Sequence, residues 1–411
     1  GTTRSLDIRV SRDLAQWDAG PLTLGIGAEA RGETLVDVTT AAGFAVIGGQ
    51  FSAPKSGSRT AQAIYAELAV PIVRTLDAQL AVRTDHYSDF GTSTNPKVGL
   101  RWRPIAPLVL RASAGTGFRA PSLPELFTTQ LRQTVPVDGS DPLRCPVTML
   151  DSDCAPEVPI LYGGNPALGP ERSRQWSVGL VFSPVREALL TLDWWRIDLQ
   201  QTIAELPDAI VLDGDSRFEG KNIVRGPVDP AFPALPGAIT GLIEVNENLG
   251  RRSASGIDVD LRLRSTVTRH GRWSVELSGS YLADWSIAFD GINLEHFAGT
   301  AALPRWQQVL TLGWDQGSWS ATLSQLWRSG YADEHRDGNG NSRKVAPYRV
   351  WNGQVAYDAS GVWQLVLGVK NLLDTNPPSS NQTDYFQVGY DPSYADPHGR
   401  FWYARATYRW R

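Results

Sequence analysis

Ser255-Gly-Ile-Asp-Val-Asp-Leu-Arg-Leu-Arg264 is the stretch whose reading decides the fold. From Ile257 onward, apolar and charged residues alternate. Successive side chains on a β-strand point to opposite faces. The segment is therefore a strand with an apolar face (Ile257, Val259, Leu261, Leu263) and an ionic face (Asp258, Asp260, Arg262, Arg264).

The same period recurs along most of the chain. Leu76, Ala78, Leu80 and Val82 alternate with Asp77, Gln79, Ala81 and Arg83. Comparable runs start at Val98, Leu108, Trp176, Trp273 and Trp363, and Leu22 to Glu29 forms a further clear strand. At Asp193-Trp194-Trp195-Arg196 two tryptophans are adjacent. The phase slips there, which predicts a β-bulge. The runs span about ten to sixteen residues, longer than the five or six of a typical soluble strand.

Short connections occur near 103–107, 183–186, 269–271 and 358–361. Between them lie segments rich in Gly, Pro, Asp and Asn at about 117–170, 201–248, 285–303, 329–346 and 375–398. Structureless loops of that length argue against a compact soluble domain. Short turns alternating with long loops suit an outer-membrane barrel. Tryptophans on the apolar phase, including Trp306 with Trp314 and Trp319 with Trp327, are spaced eight residues apart. That spacing spans roughly 20 Å on a tilted strand, and such pairs predict the two aromatic girdles of a barrel. A soluble sandwich or propeller would turn Val, Ile and Leu inward, with few tryptophans. The fold expected is all-β, an antiparallel transmembrane β-barrel of about 14–15 strands, with the apolar face toward lipid and the ionic face toward the lumen.

Composition fits one unit of 411 residues, with 39 Gly, 15 Trp and Met149 as the sole methionine. Net charge is −4 with no basic block, which argues against nucleic acid as a partner. No run approaches 18 apolar residues, so no transmembrane helix is expected; barrel strands would show none either. The chain opens Gly1-Thr2-Thr3-Arg4, read as a processed chain or a fragment.

Cys145 and Cys154, in a Pro- and Asp-rich segment, suggest a disulfide and an oxidising compartment. Two free thiols are the bland alternative. A zinc site would need two more ligands, and the loop offers no His. Nucleophile-elbow, P-loop and metalloprotease patterns are missing, so neither an enzyme nor a cofactor is expected. His86, His270, His296, His335 and His398 are expected in turns and loops as solvated residues. Asp337-Gly-Asn339-Gly-Asn341 has the start of a calcium loop but Ser342 at its sixth position and Tyr348 at its twelfth; turn chemistry is the better reading.

Leu108-Val-Leu-Arg-Ala-Ser-Ala-Gly-Thr-Gly-Phe-Arg-Ala-Pro-Ser-Leu-Pro-Glu-Leu-Phe127 resembles a segment of TonB-dependent outer-membrane receptors. So do Asn165 to Ser173 leading into Trp176, Leu192 to Asp198, Gly256-Ile-Asp258 and Val369 to Asp374. These motifs cover about residues 60–411. The resemblance implies a parent barrel of 22 strands enclosing an N-terminal plug domain. It also implies a Gram-negative outer membrane and import of a large scarce nutrient, such as a ferric siderophore, driven by the TonB complex pulling on the plug. The chain is then the barrel domain over 1–411, with the plug and first strands absent. Alone it is expected not to transport, because an unpaired first or last strand leaves an open edge in lipid.

Its expected partners are outer-membrane lipid, the TonB complex through the plug, the barrel assembly machinery and the nutrient. The family's terminal aromatic signal would be Trp410, here followed by Arg411. The segment from Arg119 to Gly169 is the expected ligand cover, rigidified by a Cys145–Cys154 bridge. Arg111, Arg119 and Glu125 are candidate contacts to plug or substrate; the alternative is lumen-face charge balanced by neighbours. Other functional classes are a passive porin or structural barrel, and a surface adhesin or phage attachment site.

Overall fold

The computed structural model describes residues 1–38, 53–205, 207–212, 214, 216–289, 292–359, 361–386 and 389–410. Long alternating segments become long strands. The first eight are β1 (Thr2–Trp17), β2 (Gly20–Asp37), β3 (Lys55–Val73), β4 (Leu76–Tyr87), β5 (Gly91–Ile105), β6 (Leu108–Arg119), β7 (Glu171–Val185) and β8 (Ala188–Gln200). The rest are β9 (Arg251–Arg264), β10 (Arg272–Phe289), β11 (Trp306–Gln316), β12 (Trp319–Arg328), β13 (Tyr348–Ala359), β14 (Trp363–Lys370) and β15 (Phe401–Tyr408). They follow one another in sequence order in a 16-stranded sheet, and a further short strand, Ile292–His296, pairs with β10 off that path. Each consecutive pair is antiparallel, as hairpin connections require. The expected 14–15 strands are thus met.

Register keeps the two faces apart. Leu100, Ala112, Val178, Trp194, Ile257, Tyr281 and Trp306 are paired partners in one row from β5 to β11. One residue along, Arg101, Arg111, Gly179, Asp193, Asp258 and Ser280 form a polar row on the other face. A one-residue slip would exchange the faces, so the pattern fixes the register. On the apolar face Ile64 is 67% exposed and Leu367 59%. Contiguous apolar exposure of this kind is tolerated by lipid and not by water. Near the short turns, aromatic pairs stack across strands. Trp319 and Tyr357 lie 4.7 Å apart, Trp363 and Tyr408 4.8 Å, and Trp273 and Trp314 6.2 Å. They form the turn-side girdle.

The turns 18–19, 74–75, 106–107, 186–187, 265–271, 317–318 and 361–362 sit at one end. The opposite end carries the described residues of 120–170, 201–250, 292–305, 329–347 and 371–400. The connection 88–90 departs from the pattern: it is short but lies at the long-loop end.

Three other expectations are corrected. Strands run from eight residues (β14) to nineteen (β3), beyond the expected ten to sixteen. No bulge occurs at Asp193 to Arg196; β8 pairs continuously with β9, Trp194 opposite Ile257 and Trp195 opposite Gly256. The apparent slip is one tryptophan on each face, and the inward Trp195 fits because a Cβ on Gly256 would come within 2.8 Å of its ring. The register shift lies one strand over, between Ser255 and Gly256 against β10. His86 belongs to β4, with Nδ1 3.0 Å from the Thr92 hydroxyl, rather than to a loop. β15 ends at Tyr408, and Trp410 packs edge-on against it at 5.0 Å; Arg411 lies outside the described residues.

Candidate functional site

The long-loop end is built rather than loose. Loops 120–170 and 201–250 pool four short strands into one sheet, ordered Ile223–Arg225, Ile239–Val245, Glu157–Gly163 and Leu131–Pro136. Its central pair joins the two loops in parallel, Leu242 opposite Ile160. Val158, Ile160, Val211, Phe218, Ile223 and Leu242 close over a core of its own. Fully burying an aliphatic side chain contributes about 1.5–3 kcal/mol, which lets these short strands persist outside the barrel.

Cys145 and Cys154 are bonded within this module and join two one-turn helices, Cys145–Thr148 and Asp151–Cys154. Beneath them Arg144, 2% exposed, meets Asp153 at 3.1 Å and donates to the Pro236 carbonyl at 2.9 Å. Arg225 holds Asp141 and Glu219, each at 2.6 Å. Burial pushes the Asp153 carboxyl up, but hydrogen bonds from Thr148 and Arg144 outweigh that and lower it. A buried charge needs partners of this quality. Glu244, 5% exposed, has none at Oε1. Burial and the nearby charges of Asp208 and Glu205 raise its carboxyl to about 7.

A second piece of loop 120–170 turns inward. Ser122 caps helix α1 (Leu123–Phe127) in a capping box with Glu125, and Pro124 suits its first turn. Leu126 is buried against Leu168 and Ile203. Phe127 sits on Gly57 of β3, where a Cβ would come within 2.0 Å of its ring. Thr129 donates to the Pro54 carbonyl at 2.9 Å. The segment that leaves β6 is therefore fastened to β3, across the inner face of β4 and β5.

Arg119 ends β6 and binds two carboxylates. Its Nε and Nη2 donate to Glu171 at 2.7 and 2.8 Å, and Nη1 and Nη2 to Glu125 at 3.0 Å. Glu171, 6% exposed, also accepts from the Ile203 amide at 2.8 Å. Burial pushes Glu125 up, yet Arg119 and Ser122 hold it below the usual carboxylate value. Arg111 pairs with Asp193 deeper along the inner wall. The structure thus brings Arg119 and Glu125 together and places Arg111 apart, and all three are ion-paired within the chain.

Sequence reading missed the charges of the first strands. Arg59 binds Glu33 at 2.7 Å and also donates to the Pro121 carbonyl ahead of α1. Arg83 holds Asp85 at 2.8 Å and Glu29 at 2.9 Å. The alternation in Glu29-Ala-Arg31-Gly-Glu33 and Arg83-Thr-Asp85 was the available signal. Beside them lies a cavity of 700 Å³ lined by Arg9, Tyr65, Glu67, Arg83, Asn95 and Lys97. Among the described residues no cluster of three or more His, Cys, Asp or Glu could hold a metal ion. The Asp337 carboxylate is taken up by the amides of Asn339 and Asn341 at 2.9 and 2.8 Å, which is turn chemistry. The site can therefore grip a polar ligand or a protein insert; it holds no arrangement for covalent or metal chemistry among those residues.

No curated protein matches the chain. It is similar to a mutant ferric enterobactin receptor, PfeA of Pseudomonas aeruginosa, solved in complex with enterobactin: TM-score 0.66, 17% identity, covering 99% of this chain and 54% of that one. The siderophore receptor PirA of Acinetobacter baumannii gives TM-score 0.67 and 16% identity over 99% and 55%. The ferripyoverdine receptor of the Pseudomonas aeruginosa outer membrane gives 0.57 and 13% over 98% and 48%. The chain spans about half the length of these structures. A family model described as TonB dependent receptor-like, beta-barrel, matches residues 2–372, starting well before the motifs near residue 60. With its continuous antiparallel meander, lipid-suited outer face and folded loop cover, the chain belongs to the β-barrel family of TonB-dependent receptors, which are receptors and transporters rather than enzymes.

Proposed function

We propose that this chain is the barrel portion of a Gram-negative outer-membrane receptor for a ferric siderophore or a chemically similar large ligand. TonB energy reaches it through a plug domain seated in the lumen, and the barrel assembly machinery inserts it among outer-membrane lipids. The observation that carries this reading is the folded cover over an ionic inner wall at one end of the barrel. A passive pore has no need of a disulfide-braced module or of a helix fastened across its inner wall. The solved receptors for enterobactin and ferripyoverdine support the ligand class. In this reading Arg111 and Arg119 order the wall that plug and ligand meet, and Glu125 sets the position of α1.

The test is uptake of radioactive iron as ferric enterobactin by cells whose sole siderophore receptor is the full-length protein. The expected result is uptake that disappears when TonB is deleted. Uptake that persists without TonB would make the barrel a passive pore. Surface binding without any uptake would make it an adhesin.

A further inference from the structure

On the outer face over β5 to β8, one strand is unusually thin. Ala112 and Ala114 of β6 share rows with Leu100 and Val98 on one side and with Val178 and Trp176 on the other. The small side chains leave a trough of 630 Å³ along β6, with Trp194 on its far wall and Arg196 and Asp198 at its loop-facing end. Beyond them opens a polar groove of 290 Å³ that shares Asp198 and is lined by Arg172, Arg174, Thr92, Thr94 and Thr116.

Register explains the change of character. On β7 the outer-face series runs Val178, Trp176, Arg174, Arg172; on β8 it runs Leu192, Trp194, Arg196, Asp198. Apolar residues give way to charged ones just past Trp176 and Trp194. Tryptophans at such a step mark the level where hydrocarbon meets headgroups. Arg196 is held by Asp198 at 3.0 Å. Arg172 and Arg174 are exposed and make no ion pair among the described residues. Two exposed guanidinium groups at headgroup depth, of which Arg174 stands opposite Asp198 in the register and feels its charge, are matched in charge and geometry to phosphate oxygens.

We propose that the two grooves form one binding site for an anionic, phosphate-bearing lipid of the leaflet nearest the loops. Arg172 and Arg174 take the phosphate. The exposed hydroxyls of Thr92 and Thr94, which also bond His86 and Thr84, meet the polar headgroup, and one acyl chain lies over Ala112 and Ala114 between Leu100 and Trp176. A free phosphate ion would occupy the polar groove alone; the apolar trough below it selects a lipid. The proposal rests on the membrane-spanning reading of the barrel.

The test uses the full-length receptor in neutral detergent, mixed with dioleoyl phosphatidylglycerol, dioleoyl phosphatidylcholine or inorganic phosphate and weighed by native mass spectrometry. Heat-modifiable migration on gels checks folding separately, so failure of the barrel reading is distinguishable from failure of the site. One phosphatidylglycerol should be retained in preference to phosphatidylcholine. The double variant Arg172→Gln/Arg174→Gln should lower retention at least roughly tenfold, about the effect of one charge-assisted hydrogen bond. The Arg172→Lys/Arg174→Lys pair should keep most of it, and Ala114→Leu should lower it by filling the trough. The site is overturned if the folded Gln pair retains the lipid like wild type. It is equally overturned if the Lys and Gln pairs lose it alike, if phosphatidylcholine binds as well, or if inorganic phosphate displaces the lipid.

Discussion

Arg111 of β6 and Asp193 of β8 join through two hydrogen bonds, Nε to Oδ1 at 2.9 Å and Nη2 to Oδ2 at 2.5 Å, over a strand that neither belongs to. The bridge passes above Gly179 of β7, their common partner in the row. A Cβ there would sit 1.9 Å from Asp193 Oδ1. Gly179→Ala is expected to lower stability by about 1–3 kcal/mol in urea unfolding of the refolded barrel. In an Asp193→Ala background most of that loss should vanish. The half-exposed ion pair itself should couple by only about 0.5–1 kcal/mol in a double-mutant cycle.

Arg119→Met strands a buried carboxylate. Glu171 would keep only the Ile203 amide, and removing one partner of a buried pair costs roughly 3–5 kcal/mol. Amides of α1 should exchange with deuterium sooner, while those of β6 and β7 toward the turns stay protected. Adding Glu171→Gln should restore most of the protection. Unchanged exchange in α1 would remove Arg119 from the role of fastening it.

Replacing both Cys145 and Cys154 by Ser should weaken ligand capture and spare barrel insertion. The bridge closes a separation of nine residues. Loop closure of that size is worth about 3 kcal/mol, all of it local to the cover. Binding to cells, set against heat-modifiable migration, checks this. Failed insertion would make the bridge a folding staple.

Glu244 predicts a pH dependence of the cover. Its folded carboxyl titrates near 7, above the ordinary 4.5, so folding favours the protonated form. The contribution of Glu244 to the module is expected to be fully present below about pH 4.5 and to be lost as pH rises through 7, by on the order of 3 kcal/mol in all. Glu244→Gln should flatten that profile. Urea midpoints of the module measured between pH 4 and pH 8 distinguish the two; parallel profiles would place the titration elsewhere.

The barrel was legible in the sequence because lipid imposes one rule on every strand. Ile257, Leu100 and Trp194 all obey it, so a period of two stands out without knowledge of neighbours. The cover was not legible. Its strands run three to seven residues, too short for a period, and the parallel partners Ile160 and Leu242 come from separate loops. Arg119 and Glu125 could be named from their place at a strand end, and Arg111 from the charged phase of the same strand. Their partners could not, because Arg119 meets Glu171 across a whole loop and Arg111 meets Asp193 only through the register of a third strand. The bulge expected at Trp194 and Trp195 shows the converse: local phase misleads where a glycine on the next strand makes room for an inward aromatic ring.

The parallel pairing of Glu157–Gly163 with Ile239–Val245 limits how this protein can be re-tailored. Each loop brings half of an apolar core. A chimera given one of them from a relative would carry an orphaned greasy surface into water, where it would misfold or stick. The two loops are therefore transplantable as a set, and an insertion in one constrains what the other can become.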